Sequence, residues 1–178
     1  YDFPMRASRD KAYMVADQRF AAGRPDVLCF TTEPLAGDVT FAGGIRAVLQ
    51  AAISTTDADF VVKLIDVWPD NTEYPGYQML VRGDIMRGRY RRSFSAPEPF
   101  TPGEPTEVAF TMPDIAHTFR KGHRIMVQVQ SSWFPLADRN PQQFVDIYRC
   151  AASDFIPCDV RIYHDRRRPS RLEVLRLR

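Results

Sequence analysis

The sequence predicts an all-β fold, with two packed antiparallel sheets forming a jelly roll or similar β-sandwich, on three observations. First, the turn Lys121-Gly122-His123 feeds a strictly alternating stretch: Ile125, Val127 and Val129 point to one face, and Met126, Gln128 and Gln130 to the other. Second, fourteen prolines and nine glycines cut the chain into short segments, and none reads as a long amphipathic helix. Third, about eight β-branched or aromatic runs occur without repeats or low-complexity stretches, the pattern of a sandwich.

In chain order, residues 1–26 read as an extended, irregular lead-in packed on the domain, with a strand or a turn of helix between Ala12 and Phe20. Residues 27–178 read as a single sandwich domain. Val27 to Thr32 is the first strand, stopped where Pro34 cannot donate to a ladder. From Gly43-Gly44, Ile45, Ala47, Leu49, Ala51 and Ile53 share one face, with Arg46 and Gln50 opposite. The small alanines suggest close approach of the sheets. Phe60 to Trp68 is apolar on nearly both faces, which marks a central strand ended by Pro69-Asp70-Asn71.

Gln78 to Ile85 pairs next, with Gly83 read as a bulge, and Arg87 to Arg92 continues as an exposed segment. Pro97, Pro99, Pro102 and Pro105 mark an extended surface connection. Val108, Phe110 and Met112 alternate up to Pro113, after which Asp114 to Phe119 reads as a short turn. Phe144 to Cys150 and Val160 to Tyr163 are weaker strand candidates, and Leu172 to Leu177 is the last.

At 178 residues the chain suits one domain with a sizeable core. Its 44% hydrophobic and 26% charged residues are ordinary for a globular domain, and no apolar run approaches the roughly 20 residues of a membrane span. The opening Tyr-Asp-Phe-Pro carries neither an initiator Met nor a signal-peptide layout, so a piece of a longer polypeptide is expected. A net charge of +2 gives no field that argues for nucleic acid or a membrane surface. Lysine occurs only at positions 11, 63 and 121.

Little catalytic chemistry is legible. Cys29, Cys150 and Cys158 are odd in number and lack metal-site spacing. Cys150 and Cys158 are either separate thiols or a bridge across a short separation. Asp57 with Asp59, or Asp66 with Asp70, offers oxygens of the kind calcium takes, but no ion-binding loop accompanies them, so strand-end carboxylates are the plainer reading and no metal or cofactor is expected. A Gly-x-Ser-x-Gly elbow is absent. A convergent triad from His117, His123, Asp114 and Ser131 or Ser132 is the residual catalytic option. Arg166, Arg167, Arg168, Arg171, Arg176 and Arg178 lack interleaved aromatics and read as a solvated or docking face. Trp133-Phe134-Pro135-Leu136 is either a sugar-stacking platform or buried packing at an edge or an interface.

Several separated blocks carry a family resemblance. These are Asp17-Gln18-Arg19-Phe20, Arg24-Pro25-Asp26-Val27-Leu28, Thr32-Glu33-Pro34-Leu35, the run Asp57 to Asp70, Gly76-Tyr77-Gln78-Met79-Leu80-Val81-Arg82-Gly83, and His117 through Pro141. Together they resemble the C-terminal domain of the X-prolyl dipeptidyl-peptidase family, which includes cocaine esterases, α-amino-acid ester hydrolases and glutaryl-cephalosporin acylases. The resemblance implies a galactose-binding-domain-like jelly roll following an α/β-hydrolase domain that bears the Ser-His-Asp triad. None of those catalytic residues matches a position here, so no catalytic residue is assigned. The implied partner is that hydrolase domain of the same polypeptide, a homo-oligomer stays open, and the family suggests a bacterial periplasmic or secreted setting. The expected role is to wall the active-site cleft, with Trp68, Tyr74, Tyr77, Trp133, Phe134 and Arg139 as contact candidates at strand ends and loops. The rival expectation is a carbohydrate-binding sandwich module.

Overall fold

The computed structural model of the chain describes residues 15–177; the first half of the expected lead-in therefore lies outside the described residues. A single helical turn, α1 (Arg19–Ala22), precedes eight strands: β1 (Val27–Thr31), β2 (Val39–Ile53), β3 (Asp59–Val67), β4 (Gln78–Arg87), β5 (Thr106–Phe119), β6 (Arg124–Gln130), β7 (Val160–Tyr163) and β8 (Arg171–Arg176). One sheet runs β1-β6-β3-β4 and the other β5-β2-β7. In the second sheet β8 pairs with Phe41 to Val48 of β2 and β7 with Gln50 to Ile53, so the two short strands share one edge. Every pairing is antiparallel.

The alternation read from sequence sets the core. Ile45, Ala47, Leu49, Ala51 and Ile53 of β2 face Phe60, Val62 and Leu64 of β3, with Val108, Phe110 and Met112 of β5 and Val129 of β6 beside them. β3 lies between β6 and β4. Its other face is also dry, because Val61 and Ile65 are fully buried. A side chain of that size gains about 1.5–3 kcal/mol on burial, so the second face is a packed layer under the lead-in and the loop that follows β6.

Four local expectations are corrected. Asp114 to Phe119 continues β5 as strand. Pro113 is tolerated because β5 is an edge strand and the ladder jumps there from Met112↔Ile45 to Ile115↔Gly43, so no ladder donor is missed. Gly43 takes φ +97° at that bulge, a conformation open to glycine. The bulge in β4 falls near Val81, since Leu64 pairs with Arg82 and Ile65 with Leu80, while Gly83 pairs squarely with Lys63. Arg87 to Arg92 is not exposed throughout: Gly88 and Arg89 are buried in a tight turn. Phe144 to Cys150 forms no strand and belongs to the irregular connection between β6 and β7.

Candidate functional site

The outer face of the β1-β6-β3-β4 sheet concentrates the unusual chemistry. Strand register places Cys29, Gln128, Lys63 and Gly83 in one row across all four strands. A lysine in the middle of a central strand requires cover for its charge, and Lys63 is only 1% exposed. Its Nζ donates to Gln18 Oε1 at 3.0 Å and lies over the rings of Trp133 at 5.2 Å and Phe20 at 5.6 Å. The ring approach depends on Gly83, where a Cβ would stand 2.6 Å from the Trp133 indole. Burial, reinforced by the like charge of Arg24, pushes Lys63 down to about 8. Neighbouring Gln128 donates to Gln18 O and Gln78 Oε1 at 3.4 Å, and its own Oε1 is buried without a partner. Burial raises the Cys29 thiol pKa.

A cleft of about 280 Å³ opens onto this row, lined among others by Phe20, Arg24, Lys63, Trp133, Phe134 and Arg139. Arg24 is held in a fork by Asp26 at 2.8 and 2.5 Å, and Arg139 stacks its guanidinium over Phe155 at 5.0 Å. Three of the six contact candidates thus meet at one cleft. Trp133 itself is 8% exposed, so it offers no open platform to a sugar; Phe134, 53% exposed, and Phe20, 59% exposed, form the rim.

The other three candidates form a separate cluster at the far end of β3. Trp68 packs edge-on against Tyr74 at 6.0 Å and Tyr77 at 5.5 Å, and lies 5.8 Å from the His123 ring. Tyr77 Oη donates to Val15 O at 2.5 Å, tying down the lead-in. Five residues of strand separate Lys63 from Trp68, about 17 Å.

Beside this cluster, buried Asp66 bridges the two sheets. His117 Nε2 lies 2.9 Å from one carboxylate oxygen and His123 Nδ1 2.7 Å from the other. A carboxylate only accepts, so both nitrogens donate. Both oxygens are used, and Asp114 pairs with neither histidine. Ser131 and Ser132 follow the opposite end of β6, which is seven residues or about 23 Å long. The residual triad is therefore not assembled among the described residues; the histidines clasp the end of the sandwich.

Of the carboxylates weighed as calcium ligands, Asp66 holds the two histidines and Asp57 and Asp59 have other partners. Asp57 accepts from the Arg89 backbone N–H at 3.1 Å, Arg89 Nε at 2.7 Å and Asn140 Nδ2 at 3.0 Å. Asn140 also reaches Asp59 at 2.9 Å, which Arg87 flanks at 3.3 Å. Burial raises the Asp59 carboxyl despite these donors. Arg89 then donates to the carbonyls of Val145 and Gln143, binding the irregular loop to the sheet. Cys29, Cys150 and Cys158 are free thiols. In the basic tail Arg168 forks onto Asp165 and Arg171 pairs with Glu173.

The chain matches the model of the X-Pro dipeptidyl-peptidase C-terminal non-catalytic domain over residues 6–173. It belongs to that family. Cocaine esterase from Rhodococcus sp. (strain MB1 Bresler) is 44% identical over 125 residues, which is 70% of this chain and 21% of that protein. A solved aminopeptidase from a marine sediment Thaumarchaeota archaeon superposes with TM-score 0.90 at 44% identity, over 93% of this chain and 28% of that one. An α-amino acid ester hydrolase gives TM-score 0.88 at 47% identity, over 90% and 27%. The chain thus spans between a fifth and three tenths of these relatives. Sandwich architecture and a non-catalytic C-terminal module of cocaine-esterase-type hydrolases agree with the sequence reading. Lys63 is not among the six contact candidates, although one lysine inside the apolar run Phe60-Val61-Val62-Lys63-Leu64-Ile65 is a legible signal of a special position.

Proposed function

We propose that this chain is the accessory sandwich of a serine hydrolase that cleaves esters or amides of amino acids or β-lactam-like acyl groups, with bond breaking carried by an α/β-hydrolase domain of the same polypeptide. The observation that carries this reading is the family match combined with the occupied state of the only His–Asp cluster among the described residues, which has no serine beside it. In the reaction expected of such a partner, a serine attacks the acyl carbon, a histidine takes its proton, and backbone donors hold the oxyanion. This chain supplies shape: the rim of Phe20 and Phe134 and the cleft behind it bury a face of the hydrolase domain, wall one side of its active site and limit acyl size.

The test compares the hydrolase polypeptide with and without residues 1–178, and with Phe134→Ala and Arg139→Ala in place. Wall residues change KM across a series of acyl sizes while leaving kcat for the smallest ester near its starting value. Equal KM values for every substrate in all forms would refute the wall. The carbohydrate-binding alternative is not favoured, because Trp133 is buried against Gly83 and Lys63.

A further inference from the structure

Buried charges are normally paired, because an ammonium taken out of water without an opposite charge is strongly disfavoured. Lys63 breaks that rule among the described residues: its contacts are one amide oxygen and two aromatic rings. The surroundings are cationic as well. Arg24 and Arg139 line the same cleft, and the one lining carboxylate, Asp26, is already forked by Arg24. Nearby, Asp17 on the lead-in is taken by Arg19. The orphan Gln128 Oε1 beside Lys63 shows that the polar row as a whole is incompletely satisfied. At the mouth stand two exposed rings, Phe20 and Phe134, of the kind that mark a contact surface.

We propose that this cleft is a socket for an acidic side chain of the hydrolase domain, which enters between Phe20 and Phe134 and ion-pairs with Lys63. The inference rests on the functional reading above and specifies its contact. Charge complementarity selects an acidic group, and the aromatic rim selects apolar neighbours around it. The extra length of the relatives supplies the source, since this chain spans 21% of cocaine esterase and 28% of the archaeal aminopeptidase. Docking converts a buried cation that opposes folding into a buried pair, so the sandwich is held in place by the same contact that completes it.

The charge state of Lys63 reads this out. The unfolded chain holds the Lys63 proton to about 10.5 and the folded chain alone only to about 8, so folding expels a proton between these values and stability rises with pH across that window. Relative to Lys63→Met, the folding constant of the isolated chain is expected to gain roughly 200-fold between pH 7 and 11. With lysines labelled at Cε, only three report in this chain, and Cys29→Ser removes the neighbouring thiol titration. The isolated chain should give a Lys63 midpoint near 8, and a segmentally labelled polypeptide joined to the hydrolase domain should return it above about 10, as an opposite charge nearby requires.

A midpoint already near 10.5 in the isolated chain overturns the socket, because the charge is then neutralised internally; a midpoint near 8 in both forms overturns it because no carboxylate arrives. The two readings fail separately. A joined polypeptide without hydrolase activity refutes the functional assignment, whereas an active one with an unmoved Lys63 midpoint refutes the socket.

Discussion

Replacing Asp57 by alanine tests the buried knot that fixes the loop to the sheet. Asp57 is fully buried and accepts three hydrogen bonds, two from Arg89 and one from Asn140. Removal leaves the Arg89 guanidinium buried, holding only the carbonyls of Val145 and Gln143. Breaking a buried pair from one side costs about 3–5 kcal/mol. For a chain of this length that lowers Tm by roughly 6–20 °C. Urea unfolding followed by tryptophan fluorescence is the assay, since Trp133 sits in the loop the knot secures. Asp57→Asn, which keeps size and one acceptor but loses the charge, should cost about 1.5–3 kcal/mol. The double change Asp57→Leu with Arg89→Met should recover much of the loss by removing the stranded charge. A cost below about 1 kcal/mol for Asp57→Ala would refute the reasoning, because such values belong to exposed pairs.

Three further outcomes follow from local geometry. Gly88→Ala places a Cβ 2.5 Å from the Ala58 carbonyl oxygen and 2.7 Å from Phe100; overpacking of this kind costs about 1–3 kcal/mol, read as a lower urea midpoint with unchanged slope. Asp66→Asn faces one of two imidazole N–H donors with an amide donor, so it should destabilise by about 1–3 kcal/mol, read as a lower urea midpoint. Arg46→Ala removes a pair whose side chains are about half exposed, so stability should move by less than about 0.5 kcal/mol.

How much was legible varied with the range of the forces involved. Strands whose side chains alternate between two faces, such as β2 from Ile45 and β6 from Arg124, were readable because each residue's face is set by its neighbours, even though both faces of these strands end up largely covered. The centrality of β3 followed from its apolar character on both faces. The errors arose where distant partners decide. Pro113 suggested the end of a strand, but Gly43-Gly44 opposite it accommodates a bulge that lets β5 run on to Phe119. The run Arg87 to Arg92 looked solvated because its charges are dense, yet Arg89 is buried by a carboxylate 32 residues earlier. Gly83 signalled a special position for the wrong reason: the need is room for Trp133, 50 positions later in sequence and so invisible to local pattern. Of the six contact candidates, Trp133, Phe134 and Arg139 converge on a cleft because one loop carries them, whereas Trp68, Tyr74 and Tyr77 gather on His123 at the other end of the sheet.

The division between a supporting sandwich and a separate hydrolytic domain is tested most directly by offering purified residues 1–178 an activated ester such as p-nitrophenyl acetate. The account predicts release of p-nitrophenol no faster than that caused by Asp66→Ala protein at equal concentration. Saturable turnover that falls to background on His117→Ala or Ser131→Ala would contradict it.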